Sequence, residues 1–368
     1  MTGDDSGWRR PADRGAEDRT SRTGLPAALA AWGRSGAPAP YTLLADRPDG
    51  TVVRCGDTVA KAHAADSDPD ALGVRLRIAA SAPLAGVLLP PLRTGTVRAR
   101  PASLWPYGAP VDPEHPELAP WEAAGRLLAA LHLTPLGSLP GPVPPMRGPA
   151  KLARALDRLA RAQTTADHRP PGGTGPPAAD APFAAPAATA APPSCVRRPV
   201  AGIPHPAGTA AVRAAARSLP AWVRGEAPAP VGAALCHGDL HLGQLVRSPA
   251  PAGPWLLIDV DDLGVGTPAW DLARPAAWYA AGLLDPGDWL RFLDAYRCAG
   301  GPAAGPPGSD PWPELDLAAR ALTVQTAALA LAKAAEDGRR LDGGERLVVD
   351  ACARIAALPA DLEYGLPS

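Results

Sequence analysis

The sequence predicts an α+β chain of two lobes, a small strand-rich N-terminal lobe and a larger, mainly helical C-terminal lobe. Strand-length runs broken by turn signals fill the stretch from Tyr41 to Leu104. A proline-stiffened connector follows, Trp105-Pro106-Tyr107-Gly108-Ala109-Pro110, and beyond it the apolar residues recur at helical spacing. With 368 residues the chain is long enough for more than one core.

Residues 1–35 are rich in Arg, Asp, Gly and Ser without sustained periodicity and are expected to form a disordered arm. The N-lobe is placed at 36–104. Within it, Tyr41–Ala45, the turn Arg47-Pro48-Asp49-Gly50 and Thr51–Cys55 read as a hairpin. After the Gly56-Asp57 turn comes a strand in which Val59, Lys61 and His63 share a face. Asp68-Pro69 opens a helix through Ala80, because Asp can cap the exposed N–H groups and Pro fits the first turn. Val87–Leu89 and Thr96–Leu104 are further strand candidates. Residues 105–112 form the hinge and 113–365 the C-lobe. There Trp121–His132 carries Ala124, Leu127, Leu128 and Leu131 on one stripe, and helices are expected near 151–163, 209–224, 269–284, 287–298, 313–337 and 343–358. The Pro/Ala/Gly tract at 164–208 reads as a flexible insertion.

Composition excludes several classes. The formal net charge of −1 indicates no general attraction to nucleic acid. The polar, acidic start lacks the apolar core of a secretory signal, and no apolar run approaches the roughly 20 residues of a membrane span. A cytoplasmic location, with no membrane partner, is therefore expected. The five cysteines are scattered without CxxC spacing and read as reduced thiols. Only three lysines, Lys61, Lys151 and Lys333, stand against 33 arginines, and there is no asparagine. In such a chain a retained lysine can mark a place where a compact ammonium is needed. Residues 1–230 hold 26 basic and 19 acidic side chains; residues 231–368 hold 10 and 18. An acidic second half would suit a cationic substrate, or equally the solvated faces of an acidic helical lobe.

The chemistry concentrates in His237-Gly238-Asp239-Leu240-His241-Leu242-Gly243-Gln244, preceded by the short apolar run Ala234-Leu235-Cys236. Further on, Trp255-Leu256-Leu257-Ile258 is a strand-like run that delivers Asp259. Phosphoryl transfer needs one carboxylate to orient the acceptor hydroxyl, and a carboxylate with an amide oxygen to hold Mg²⁺ on the phosphates. A loop followed by a strand hairpin can bring Asp239, Gln244 and Asp259 to one edge of a cleft, and Lys61 can supply a cation for the nonreacting phosphates.

The three blocks His237–Gln244, Ile258-Asp259 and Gly266-Thr267-Pro268-Ala269-Trp270-Asp271-Leu272-Ala273 stand in the order and spacing of a known family. The chain resembles the aminoglycoside phosphotransferase and choline kinase-like family, and its catalytic loop is similar to that of bacterial maltokinases. The resemblance implies a protein-kinase-like bilobal fold and transfer of the γ-phosphate of ATP, or of GTP, to a hydroxyl of a small molecule, either aminoglycoside-like or a sugar. It implies Asp239 as catalytic base, Asp259 as principal Mg²⁺ ligand and Gln244 in the place of the second ligand. It further implies His237 as a brace of the loop, Asp271 as a tie for the loop's backbone and Lys61 as the phosphate-contacting lysine. Trp105 and Tyr107 would belong to the hinge beside the nucleotide base. The sequence departs from the family in carrying Gln rather than Asn at 244, in lacking a glycine-rich phosphate loop and in offering Arg75 and Arg77 where an acidic partner for Lys61 would stand.

Other readings accompany these. Asp239 could cap a following helix, and Lys61 could be a solvent-facing strand residue. Asp261 and Asp262 read as turn residues. His237 and His241, four apart, have the spacing of a helical zinc pair, but Gly238 and Gly243 argue against a regular helix. A kinase-fold nucleotide-binding or scaffolding protein without turnover is the alternative to the enzyme.

Overall fold

The computed structural model describes residues 24–34, 40–47, 49–167 and 205–358. The chain divides into two compact units: one holds the described residues up to Ser67 together with Leu92–Tyr107, the other Asp68–Pro91 and everything from Gly108 onward.

The first unit is built on an antiparallel five-stranded sheet. Its strands are β1 (Thr42–Arg47), β2 (Gly50–Cys55), β3 (Thr58–His63), β4 (Arg93–Val97) and β5 (Arg100–Pro106), in the order β1-β2-β3-β5-β4. Arg47 pairs with Gly50, so the expected first hairpin forms with a two-residue turn. The run 96–104 is not one strand: it folds back at Arg98 and Ala99, both at positive φ (49° and 62°), into the β4–β5 hairpin. One face of the sheet presents Val53, Cys55, Ala60, Ala62, Ala102 and Leu104 to helix α1 (Leu25–Gly33), whose Leu29 and Ala30 are buried. This corrects the expectation of a disordered arm for residues 24–33. Leu29 and Ala30, adjacent on the helix, give it an apolar edge that the sheet can bury. Residues 1–23 and 35 of that expected arm lie outside the described residues.

The second unit takes in the stretch 68–91, which the sequence places in the small lobe. Asp68 caps α2 (Pro69–Ala79) by accepting from Asp70 N (2.9 Å) and Ala71 N (3.2 Å). The reason α2 groups here is Arg75, buried on the helix, which donates to the carbonyls of Leu263 (2.7 Å) and Pro145 (3.2 Å). Val87–Leu89 forms no strand of its own; it makes a single bridge at Leu88 to Leu257.

The remaining strands are short. β7 (Ala234–Cys236) pairs with β10 (Gly264–Gly266), and β6 (Ala109–Pro110), β8 (Leu245–Arg247) and β9 (Trp255–Leu257) form a three-stranded ribbon. Around them pack α3 (Trp121–Leu133), α4 (Gly148–Asp167), α5 (His205–Arg217), α6 (Ala269–Ala281), α7 (Pro286–Cys298), α8 (Trp312–Asp337) and α9 (Gly343–Ala356). Gly125 lets α3 approach α7 so closely that a Cβ there would meet the Phe292 carbonyl at 2.4 Å. Helix α8 is long and apolar enough to cross a membrane by length and composition, contrary to the expectation that no run approaches that length. It is a core helix here, packed on α4, α6 and α9. Helices α4 and α5 reach into the expected 164–208 insertion from either side; residues 168–204 lie outside the described residues. Cys55, Cys236 and Cys352 are buried free thiols.

Candidate active site

Strand β7 delivers the His237–Asp239 loop, and its partner β10 is reached through the Asp259–Asp262 turn, so the two acidic segments run side by side. Gly238 sits at φ +83°, and a Cβ there would meet the Asp262 carbonyl at 2.5 Å. Glycine is required on both counts.

Asp271, in the first turn of α6 and fully buried, anchors the loop. Its carboxylate accepts from the backbone N–H groups of His237 (2.5 Å) and Gly238 (2.7 Å), and it lies 3.1 Å from Nε2 of His132 on α3. The other nitrogen of His132 meets the buried Tyr296 hydroxyl at 2.8 Å. The His237 ring, also buried, donates from Nε2 to the Ile258 carbonyl (2.8 Å), and Ile258 N donates to the Gln244 carbonyl (2.9 Å). Loop and strand are thus sewn together immediately before Asp259.

Asp259 adopts φ 64°, ψ 75°, a left-handed conformation rare for residues other than glycine. Such conformations persist where the surrounding structure enforces them, often at functional sites. The Gln244 amide nitrogen lies 3.3 Å from Asp259 Oδ2. The two amide orientations differ only by a half-turn, and the other one sets the amide oxygen beside the carboxylate, a pair of hard oxygen donors that fits Mg²⁺.

Asp239 is gripped by two cations. Lys151 Nζ, from the first turn of α4, lies 3.0 Å from Oδ2, and Arg274 Nη2, one turn along α6 from Asp271, lies 2.5 Å from Oδ1. Lys151 also reaches Asp262 at 2.5 Å, and Arg274 Nε donates to the Leu240 carbonyl at 3.1 Å. Burial alone would raise the Asp239 carboxyl, but the Lys151 and Arg274 charges hold it well below the ordinary carboxylate range. Burial, reinforced by Arg274, pushes His241 down to about 4, so it is neutral at pH 7, and its Nδ1 accepts from Gly243 N at 3.1 Å.

The sequence readings that set Asp239, His237, Gln244, Asp259 and Asp271 in one constellation correspond to a single cluster in the second unit. Lys61, Trp105 and Tyr107 belong to the first. On β3, Lys61 pairs with Ser103 and Val59 with Trp105, so Lys61, Val59, Ser103 and Trp105 share the sheet face opposite α1. Ser103 Oγ receives the Trp105 indole N–H (2.8 Å) and lies 2.7 Å from His63. Tyr107 N donates to the Asp57 carbonyl, and the Arg54 guanidinium lies over the Tyr107 ring at 3.4 Å. Neither histidine of the zinc-spaced pair belongs, among the described residues, to a group of three side chains close enough to share a metal. His132, Cys236 and Asp271 place ligand atoms within 4.8 Å of one another. That group is committed to Tyr296 and the loop amides, and burial drives the Cys236 thiol well above its usual range.

Sequence reasoning missed four members of this cluster. Lys151 carried a signal, being one of only three lysines. Asp262, read as a turn residue, holds Lys151. Arg274 and His132 gave none, since an arginine and a histidine on helices have many ordinary uses.

No curated protein matches the sequence. Among solved structures, the chain is similar to a choline/ethanolamine kinase family protein from Mesorhizobium loti, at 18% identity over 91% of this chain and 94% of that one, with a TM-score of 0.51. It is also similar to a thermostable mutant of aminoglycoside phosphotransferase APH(4)-Ia in ternary complex with AMP-PNP and hygromycin B (14% identity, 91% and 99% covered, TM-score 0.53). A third is spectinomycin phosphotransferase APH(9)-Ia in complex with ADP and spectinomycin (12% identity, 88% and 90% covered, TM-score 0.50). These likenesses establish the fold, a small antiparallel-sheet lobe and a helical lobe of the kinase-like type. The family model described as the phosphotransferase enzyme family matches residues 71–312, well over half of the chain and inclusive of the whole Asp239–Asp271 cluster. The chain belongs to the phosphotransferase enzyme family.

Proposed function

We propose that this chain transfers the γ-phosphate of ATP, or of GTP, to a hydroxyl group of a small molecule, with an aminoglycoside-like compound or a sugar as acceptor. The observation that carries the reading is the pairing of two differently prepared carboxylates. Asp239 is held ionised by Lys151 and Arg274, and Asp259 is set beside an amide in an enforced left-handed backbone.

Asp239 orients the acceptor hydroxyl as a hydrogen-bond acceptor. A carboxylate held so far toward ionisation is a weak base, so it takes the proton late, once the oxygen has begun to bond to phosphorus. That timing suits a loose phosphoryl-transfer transition state. Asp259 and Gln244 would hold Mg²⁺, which would supply positive charge to offset that of the phosphate oxygens. His237 and Asp271 act on the loop rather than on substrate: they fix the backbone on either side of Gly238 so that Asp239 projects at a set position. Lys61 contributes charge to the nonreacting phosphates, and Trp105 and Tyr107 flank the base.

Incubation with ATP, Mg²⁺ and a panel of sugars, aminoglycosides and amino alcohols, read by mass spectrometry, tests this. One acceptor should gain a phosphoryl group, and Asp239→Ala and Asp259→Ala should each abolish the gain. Nucleotide binding with no acceptor phosphorylated would instead identify a scaffolding protein without turnover.

A further inference from the structure

Helix α2 carries arginines where the family resemblance calls for an acidic residue, and one of them has a different task. Arg77 is exposed, whereas Arg75 is only 6% exposed. A buried guanidinium is costly unless its N–H groups and its charge are matched. Its Nε donates to the Leu263 carbonyl at 2.7 Å and its Nη2 to the Pro145 carbonyl at 3.2 Å. Burial and the Arg147 charge press it below its ordinary pKa range, while the Asp262, Asp261 and Asp68 carboxylates press the other way. Arg75 therefore directs its donors to the exit of the turn that follows Asp259.

The stretch 68–91 meets the chain on both sides of Asp259. Two residues before it, Leu257 N donates to the Val87 carbonyl and Leu89 N to the Leu257 carbonyl, both at 2.9 Å. Four residues after it, Leu263 is held by Arg75. Between these ties α2 packs on the Val260–Asp262 turn. The segment 144–147, which Arg75 also grips at Pro145, adds bonds of its own. Arg147 N donates to the Asp262 carbonyl (3.2 Å) and Val265 N to the Pro144 carbonyl (2.8 Å). Asp259, so bracketed, stands at φ 64°, ψ 75°. A residue other than glycine keeps such a conformation only where its surroundings over-determine it.

We infer that Arg75 is a positioning residue for Asp259: it locks the exit of the turn, so that the carboxylate stays beside Gln244 in its left-handed backbone, ready for Mg²⁺. The inference rests on the phosphotransferase reading and adds a residue to its metal site. Arginine suits the task because one rigid fork reaches two carbonyls on separate segments, Leu263 and Pro145. A single point donor can satisfy one of them. The entrance to Asp259 is held from the catalytic loop, where His237 and Gln244 bond the backbone of Ile258. Arg75 performs the corresponding work at the exit, from a different helix.

Two measurements on the full chain test this. The first needs no ligand: hydrogen exchange read by mass spectrometry should find the amides of 260–265 about tenfold faster in Arg75→Met than in the parent. Asp342→Ala, which removes the cap of α9, is the control and should leave those amides unchanged. The second reads the metal, with Mn²⁺ in place of Mg²⁺, saturating ADP and electron paramagnetic resonance. Arg75→Met should bind Mn²⁺ about tenfold more weakly, with ADP affinity in EDTA unchanged, and Asp342→Ala should match the parent. Arg75→Lys keeps the charge but reaches one carbonyl; it should weaken Mn²⁺ about threefold, and it decides the matter where Arg75→Met does not fold. Parent-like exchange at 260–265, or parent-like Mn²⁺ affinity, in a folded Arg75 variant would overturn the inference alone. A parent chain that binds no Mn²⁺ with ADP would overturn the phosphotransferase reading, and the metal role of Arg75 with it.

Discussion

Replacing Asp271 should separate the work of holding the loop from the work of chemistry. The carboxylate is buried and engages three groups, at 2.5, 2.7 and 3.1 Å. Asp271→Ala leaves two backbone N–H groups and a histidine nitrogen facing a small void. Each stranded buried donor costs about 1–3 kcal/mol, and groups that share one partner do not add fully. The expected loss is about 3–5 kcal/mol, a large share of the roughly 5–15 kcal/mol that separates folded from unfolded proteins. At about 2 °C per kcal/mol for a body of this size, the melting temperature should fall by roughly 6–10 °C. Asp271→Asn keeps one acceptor oxygen but turns an N–H₂ group toward a backbone donor, so about half the loss should remain. Calorimetry or urea titration gives the stability, and mass-spectrometric phosphoryl transfer gives the turnover below the new melting point. Asp271→Ala should impair both, whereas Asp239→Ala should remove turnover with a smaller stability change. A loss under about 1 kcal/mol for Asp271→Ala would refute the claim that this carboxylate holds the loop.

Three further outcomes are expected. In Lys151→Met the Asp239 carboxyl loses a neighbouring cation while keeping its burial, so its pKa climbs. The parent, with a depressed folded pKa, should show no acid limb from Asp239, and the variant should gain one at roughly pH 4–6 in its rate profile. By the same sign, the stability that Asp239's ion pairs contribute is present above its unfolded pKa of about 3.9, is lost as pH falls through the folded value, and should shrink in the variant. Gly125→Ala would place a Cβ 2.4 Å from the Phe292 carbonyl and 2.9 Å from Tyr296 N, so α3 and α7 must separate; urea midpoints should report a loss of at least about 2 kcal/mol. Arg75→Met keeps the stem but strips donors from the Leu263 and Pro145 carbonyls, and hydrogen exchange of the α2 amides should quicken, with a stability loss of about 1–3 kcal/mol.

Local chemistry made much of the architecture legible in advance. Asp68-Pro69 can do little but open a helix, and the alternation through Val53, Cys55, Ala60 and Ala62 can bury only one face of a sheet. The stripe on Trp121–His132 likewise gave α3 almost to the residue. Misreadings arose where long-range partners decide. Thr96–Leu104 looks like one strand because nothing in Arg98-Ala99 announces a turn, and the pairing of Val97 with Arg100 imposes it. Leu25–Gly33 looks like tail because its short apolar edge becomes a helix face only when a sheet lies against it.

The candidate site divides along the same line. By itself the sequence determined which residue types could meet a phosphate and a metal, since His237-Gly238-Asp239, Gln244, Asp259 and Asp271 lie within 35 positions of one another and a few short strands bring them together. Only the tertiary structure decided how those groups are charged and what faces them. Lys151 stands 88 positions before Asp239 and Arg274 stands 35 after it, on helices whose packing no local pattern encodes. Protonation follows from burial and nearby charge, both properties of the assembled interior rather than of any one segment.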